Sequence, residues 1–145
     1  MKIGIRSIKY IAAHRVIDYS YLPAAARMNF NACIMEGSLK DLPFTPETAD
    51  VSERWEEDDR GRYSIYSLKA SVRGRKEEHR STINQLVGMN HIFLVELLDG
   101  TKTVVGSRQF LPTFKATDSL SGNSKSEFNI QIDLRSLHGV LFSID

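Results

Sequence analysis

Four histidines, His14, His79, His91 and His138, carry most of the chain's capacity to bind a metal. A zinc centre needs such ligands paired at short spacings with one another or with cysteine. No HxH, HExxH or Cys/His pair occurs. His14 and Asp18 would share a face only on a helix, and Glu78 and His79, being adjacent, would diverge on one. No metal site is expected. Nucleophilic catalysis has little more to build on: Ser136, His138 and Asp133 are near in sequence, but a triad needs three groups held in a hydrogen-bonded line by a scaffold. Cys33 stands among apolar neighbours on an apparent strand, where a thiol acts as a small hydrophobe rather than an activated thiolate. Neither catalytic residues nor a cofactor are expected, and a small hydrolase is the third-ranked reading.

The charged residues are more informative. Glu56, Glu57, Asp58 and Asp59 form an acidic run that lacks the ligand spacing of a calcium loop. From Glu53 to Asp59 the charges are acidic apart from Arg54; from Arg60 to Lys76 every charged residue is basic, namely Arg60, Arg62, Lys69, Arg73, Arg75 and Lys76. If a turn at Arg60-Gly61 folds the segment into a hairpin, opposite charges meet across the strands and support the register. If they face outward they form complementary poles, and identical subunits with such poles associate head to tail and can close into rings. Glu53, Glu56, Glu57, Asp58, Asp59, Arg60, Arg62, Arg73, Arg75 and Lys76 are therefore the expected subunit-interface residues. Tyr63 and Tyr66 among the cations resemble a single-strand platform, but the adjacent carboxylates would repel phosphates, so nucleic-acid binding ranks lower.

The elements that must carry these residues are mostly strands. Side chains two apart share a face of a sheet, and that alternation recurs in Met28, Phe30, Ala32 and Ile34, in Tyr66, Leu68, Ala70 and Val72, and in Phe128, Ile130, Ile132 and Leu134. Ile3 and Ile5 read as a strand, and the stretch from Tyr10 to Ile17 fits strand or helix, with strand favoured by its β-branched flanks. Ile92 to Leu98 is the most apolar run. It stops at Asp99-Gly100, the pair favoured in a two-residue primed turn, so a central hairpin covered on both faces is expected. Lys76 to Val87 breaks the pattern: Ile83, Leu86 and Val87 follow helical spacing, Glu77 and Glu78 suit the first turn, and Gly88 suits the end. Leu39 to Asp50, with Pro43 and Pro46, and the polar Ser119 to Ser126 read as loops.

A chain of 145 residues, 41% hydrophobic and 26% charged, is expected to form one domain spanning 1–145 without disulfide or metal staples. Its formal net charge of +1 creates no global field toward nucleic acid or membrane. One cysteine excludes an internal disulfide. No apolar run is long enough for a signal sequence or a membrane span, which points to a product that stays in the compartment of synthesis. The fold class expected is mainly β, an antiparallel β-sandwich or partly closed barrel with one short helix.

In its second half the chain resembles small virion proteins of phages and prophages that infect Bacteroidetes. The features come in order: the helix Lys76 to Val87, the apolar strand His91 to Leu98, the Asp99-Gly100 turn, Val105-Gly106-Ser107, Pro112 with Phe114, the Ser121-Gly122-Asn123 loop and the amphipathic strand Phe128 to Leu134. The resemblance implies a non-enzymatic component of the tail or head-to-tail connector, made in the host cytoplasm and built into the virion as a homo-oligomeric ring or tube. Its partners would be further copies and other virion proteins, with DNA present only as it passes through a channel. The alternative is a small β-barrel binding module for a ligand, peptide or single-stranded nucleic acid.

Overall fold

The alternations Tyr66 to Val72 and Phe128 to Leu134 lie on strands whose buried faces join one core, whereas Met28 and Ile34 fall on separate strands of different sheets. The computed structural model describes residues 4–18, 21–22, 27–28, 34–35, 39–73, 77–106, 110–119, 127–136 and 141–143. In chain order the described elements are β1 (Ile5–Ala12), a 3-10 turn (Ala13–Arg15), β2 (Val16–Asp18), β3 (Tyr21–Leu22), β4 (Arg27–Met28), β5 (Ile34–Met35), β6 (Lys40–Asp41), β7 (Thr45–Asp58), β8 (Gly61–Arg73), α1 (Glu77–Gly88), β9 (His91–Leu97), β10 (Lys102–Val105), β11 (Thr113–Ser119), β12 (Glu127–Ser136) and β13 (Leu141–Ser143). Seven strands form one sheet in the order β3-β4-β13-β10-β9-β1-β6, and four form a second in the order β11-β12-β8-β7. Strands β2 and β5 make a separate pair. The described pairings are antiparallel except β13 with β4.

The two larger sheets pack face to face. Ile5, Ile8, Phe93 and Val95 from one meet Leu68, Ile130 and Ile132 from the other, and Ile83 and Leu86 of α1 join the same core. Burying each such side chain contributes about 1.5–3 kcal/mol. The fold is thus a mainly β sandwich with one helix. It is not closed into a barrel, because each sheet ends on strands paired on one side only, β7 and β11 in the smaller, β3 and β6 in the larger.

The Tyr10–Ile17 stretch is strand, broken by the 3-10 turn. Strand β9 lies between β10 and β1, and at its start both faces are covered, since Ile92 and Phe93 point opposite ways and both are buried. The turn after it is longer than expected. Leu97 pairs with Thr101 rather than with a closer residue: the Leu97 amide donates to the Thr101 carbonyl at 2.8 Å and the Gly100 amide to the Leu97 carbonyl at 3.0 Å. Leu98, Asp99 and Gly100 therefore form a three-residue loop, with Gly100 at φ +92° and the Asp99 carboxylate accepting the Thr101 amide at 2.8 Å. This loop needs a positive φ only at its last residue.

Two further expectations are corrected. Much of Leu39 to Asp50 is strand, because β7 is an edge strand where a proline sacrifices no ladder bond, and a register shift between Thr45 and Asp50 accommodates the irregularity. On α1, Ile83 and Leu86 are buried but Val87 is 56% exposed. One residue along a helix turns about 100°, enough to carry Val87 off the covered side. The Phe30 to Cys33 part of the first alternation, and residues 120–126 of the polar loop, lie outside the described residues. No helix among the described residues is long and apolar enough to cross a membrane.

One histidine belongs to this core. The His91 ring is buried, approaches Tyr10 edge-on at 5.5 Å, and has Nδ1 3.0 Å from the Met89 carbonyl. A hydrogen bond between Thr82 and Tyr10 ties α1 to the same corner. Burial, opposed by the Met89 bond and assisted by His14, holds His91 below its ordinary pKa. A lowered folded value means that the unfolded chain takes up the proton first. Stability is therefore full above the unfolded value of ~6.5 and declines as pH falls from there through the folded value. Proton NMR should place the His91 titration below 6.5, with the urea midpoint falling over the same window; titration at or above 6.5 would refute this.

Candidate functional site

The charged segment singled out in the sequence lies on the two longest strands. β7 and β8 pair from Val51–Leu68 through Glu53–Tyr66, Trp55–Ser64 and Glu57–Arg62 to Asp58–Gly61. The last pairing of β8 with β12 is Ser64–Ser136. Among the described residues, 56–63 pair only with each other, as a two-stranded arm beyond Ser64–Ser136; residues 137–140, which follow β12, lie outside the described residues. At its tip the Arg60 amide donates to the Asp58 carboxylate at 2.7 Å, and Gly61 takes φ +118°, a conformation that L side chains rarely adopt.

Alternation sorts the arm into two faces. Val51, Glu53, Trp55 and Glu57 share the face of the buried Leu68, Tyr66 and Ser64, and on this face cover is lost toward the tip: Val51 is half-buried, while Trp55 is 51% exposed. The opposite face carries a chain of contacts. Arg54 Nε lies 2.9 Å from Glu56 Oε1, the Tyr63 hydroxyl donates to Glu56 Oε2 at 3.2 Å, and Arg135 Nη2 donates to the Tyr63 oxygen at 3.1 Å. The Arg135 guanidinium also stands 4.5 Å from the Tyr63 ring centroid. The Arg54 bond above all, with that from Tyr63, holds the Glu56 carboxyl below its ordinary pKa.

The hairpin is realised, with opposite charges facing in strand register but no ion pair at Arg62 among the described residues. Glu57 faces Arg62 and Asp50 faces Lys69 in register, whereas Glu56 faces Tyr63 and Asp58 faces Gly61. The pairing is centred on Asp59-Arg60 rather than on Arg60-Gly61, which displaces each partner. Of the expected interface residues, Glu56, Glu57, Asp58, Asp59, Arg60 and Arg62 share the arm, and Glu53 lies below its base, opposite Tyr66. Arg73 does not: it pairs in register with Glu127, roughly 35 Å along the strand from Arg62 at ~3.3 Å per residue. Arg75 and Lys76 lie outside the described residues. The basic stretch is therefore not one surface.

At the base of the arm is a cleft of about 260 Å³. Its lining brings Arg60, Arg62 and Arg135 together with the rings of Tyr63 and Phe110, and with Asp58 and Ser136. Among the described residues neither Arg60 nor Arg62 has an ion-pair partner. Chemically this is an apolar slot edged by cations, suited to an aromatic group that carries carboxylates. Phe110 and Arg135 are remote in sequence from the arm, and no local signal marks them; Ser136 stands out in the sequence only as a triad candidate. Trp55 could have been noticed: it is the single tryptophan, flanked on its own face by Glu53 and Glu57.

Among the described residues two buried hydroxyls have no hydrogen-bond partner, Ser64 Oγ and Tyr66 Oη. Burial first, and the Glu53 carboxylate second, push the Tyr66 phenol well above its ordinary pKa. An unsatisfied buried hydroxyl costs about 1–3 kcal/mol. Tyr66→Phe should therefore raise stability by about 1 kcal/mol, read as a higher urea midpoint at unchanged slope; a lower midpoint would show that the hydroxyl is in use.

Other sequence candidates are separated by the pleat. Tyr63 and Tyr66 point to opposite faces, with Tyr66 only 3% exposed, so they do not make a stacking platform. Ser136 is buried on the core face and Asp133 on the other, hydrogen-bonded by Gln131 at 2.9 Å. His138 and Cys33 lie outside the described residues. On the outward face of the smaller sheet a shallow depression of about 330 Å³ includes Lys69, Lys115, Asn129 and Gln131. Its polar groups are partly engaged, Ser71 with Asn129 at 2.9 Å and Lys115 with Asp133 at 4.0 Å. Among the described residues no group of three or more His, Cys, Asp or Glu side chains is placed to hold a metal ion. No protein-family model, curated protein or solved structure matches this chain.

Proposed function

We propose that the protein is a non-enzymatic structural component of a phage virion, in the tail or head-to-tail connector, where copies join through the β7–β8 arm into a ring or tube. The arm carries this reading. An isolated two-stranded ribbon is marginally stable in water, and among the described residues 56–63 extend as one beyond Ser64–Ser136, with a half-exposed indole at its root and charges of both signs at its tip. A neighbouring subunit would add cover to this ribbon and to the exposed indole. Charges along the free edge of β7 discourage indiscriminate strand addition while leaving specific docking open. The virion setting comes from the resemblance of the second half, and the other partners would be neighbouring virion proteins.

Sedimentation and negative-stain imaging of the purified chain test the proposal, with a ring or tube as the expected result. A strictly monomeric species at high concentration overturns it. The cleft favours a second reading, a monomeric module for an anionic aromatic ligand, and a monomer that binds such a compound with strong salt dependence would support that instead.

A further inference from the structure

The arm and its base carry two features that complement each other. The first is Trp55, 51% exposed while other aromatic side chains such as Tyr10, Tyr66, Phe93 and Phe128 are buried. The second is the cleft with Arg60, Arg62 and Arg135 around Tyr63 and Phe110, of which Trp55 is not a lining residue. We infer that, within the proposed assembly, the Trp55 indole of one copy seats in the arginine-edged cleft of a second copy.

Size, charge and chemistry support the match. A cavity of about 150 Å³ admits a benzene ring, so a cleft of about 260 Å³ has room for an indole. Tyr63 and Phe110 offer ring surfaces to it, and aromatic side chains pack edge-on or offset against such partners. Glu57 lies two residues from Trp55 on the same face of β7, so insertion of the indole brings its carboxylate toward Arg60 and Arg62, which have no ion-pair partner among the described residues. Arg135, already stacked on Tyr63, stiffens the wall. An aromatic side chain entering a cleft with arginines at its edge has the composition of an interface hot spot. Because both halves of the contact belong to each copy, one rule of docking repeats from subunit to subunit, and head-to-tail repetition gives a ring if the rotation closes.

The inference rests on the assembly proposal, and the two fail in different ways. The chain has a single tryptophan, so its fluorescence reports on Trp55 directly. Raising the concentration of the full chain should shift emission to the blue and reduce acrylamide quenching several-fold, with the midpoint that sedimentation gives for association. Trp55→Ala and the double variant Arg60→Glu, Arg62→Glu should each weaken self-association at least tenfold. Trp55→Leu serves as a second variant, and thermal melts matched to the parent confirm that each is folded. Mixed together, the Trp55→Ala chain and the double variant should associate with each other, since one retains the cleft and the other the indole. If the chain assembles while its indole stays fully quenchable, or if the variants assemble like the parent, the inference falls and the assembly proposal stands. A parent chain that is monomeric at every concentration ends both.

Discussion

Phe93→Ala is expected to destabilise the fold by about 3–5 kcal/mol, the usual cost of removing a buried phenylalanine ring. Phe93 lies on β9 near the centre of the larger sheet, with Tyr10 on one side and Val105 on the other in register. Its ring is 1% exposed and stacks on Phe114 at 6.2 Å with an 18° interplanar angle, a contact made from one sheet to the other. Deleting the ring removes apolar burial, the aromatic pair and the fill between the sheets together. Global stabilities are about 5–15 kcal/mol, so the loss is a large share of the total and should lower the melting temperature by on the order of 10 °C. Urea unfolding at unchanged slope measures it. A loss below about 1.5 kcal/mol would mean that the sheets do not pack here as described.

Gly106→Ala should cost about 2–6 kcal/mol, combining backbone strain with overpacking, each of which typically contributes about 1–3 kcal/mol. Gly106 follows β10 at φ +118°, and an added Cβ would stand 2.7 Å from Ile92 Cδ1 and 2.9 Å from Pro112 Cδ. Neither neighbour can yield easily, since Ile92 is fully buried and Pro112 is a ring. Gly100 is the control. It also has positive φ, +92°, but a Cβ there meets nothing within 4 Å, so Gly100→Ala carries only the left-handed backbone penalty of about 1–2 kcal/mol. Equal costs at the two positions would show that close packing around Gly106 contributes nothing.

These positions show how far local chemistry can be read. The hairpin at Asp99-Gly100 was legible because an apolar run ending at a glycine leaves few alternatives, but the length of its loop was not. Whether Leu98 joins the turn depends on Leu97 pairing with Thr101, a choice made between strands. Ile83 and Leu86 were legible as one helical face; Val87 was not, since only the position of the covering sheets decides how wide that face is. Pro46 reads as loop until β7 is known to be an edge strand, whereas Pro43 does lie between strands. In the charged segment the hairpin could be anticipated, whereas a turn centred one residue earlier exchanged partners and set Tyr63 against Glu56. Arg73 was grouped with Arg60 and Arg62 by sequence proximity and lies at the other end of the sheet.

By itself the sequence determined which side of β8 and of β12 is apolar and, to within a residue, where the chain reverses, because period-two alternation and the conformational demands of glycine act within a few residues. Tertiary structure alone decided which strand stands at an edge, how far the β7–β8 arm outruns β12, and that Arg135 and Phe110 converge on Arg60, Arg62 and Tyr63. Those outcomes depend on register and on packing between distant segments, whose hydrogen bonds and buried contacts leave no mark on the residues in between.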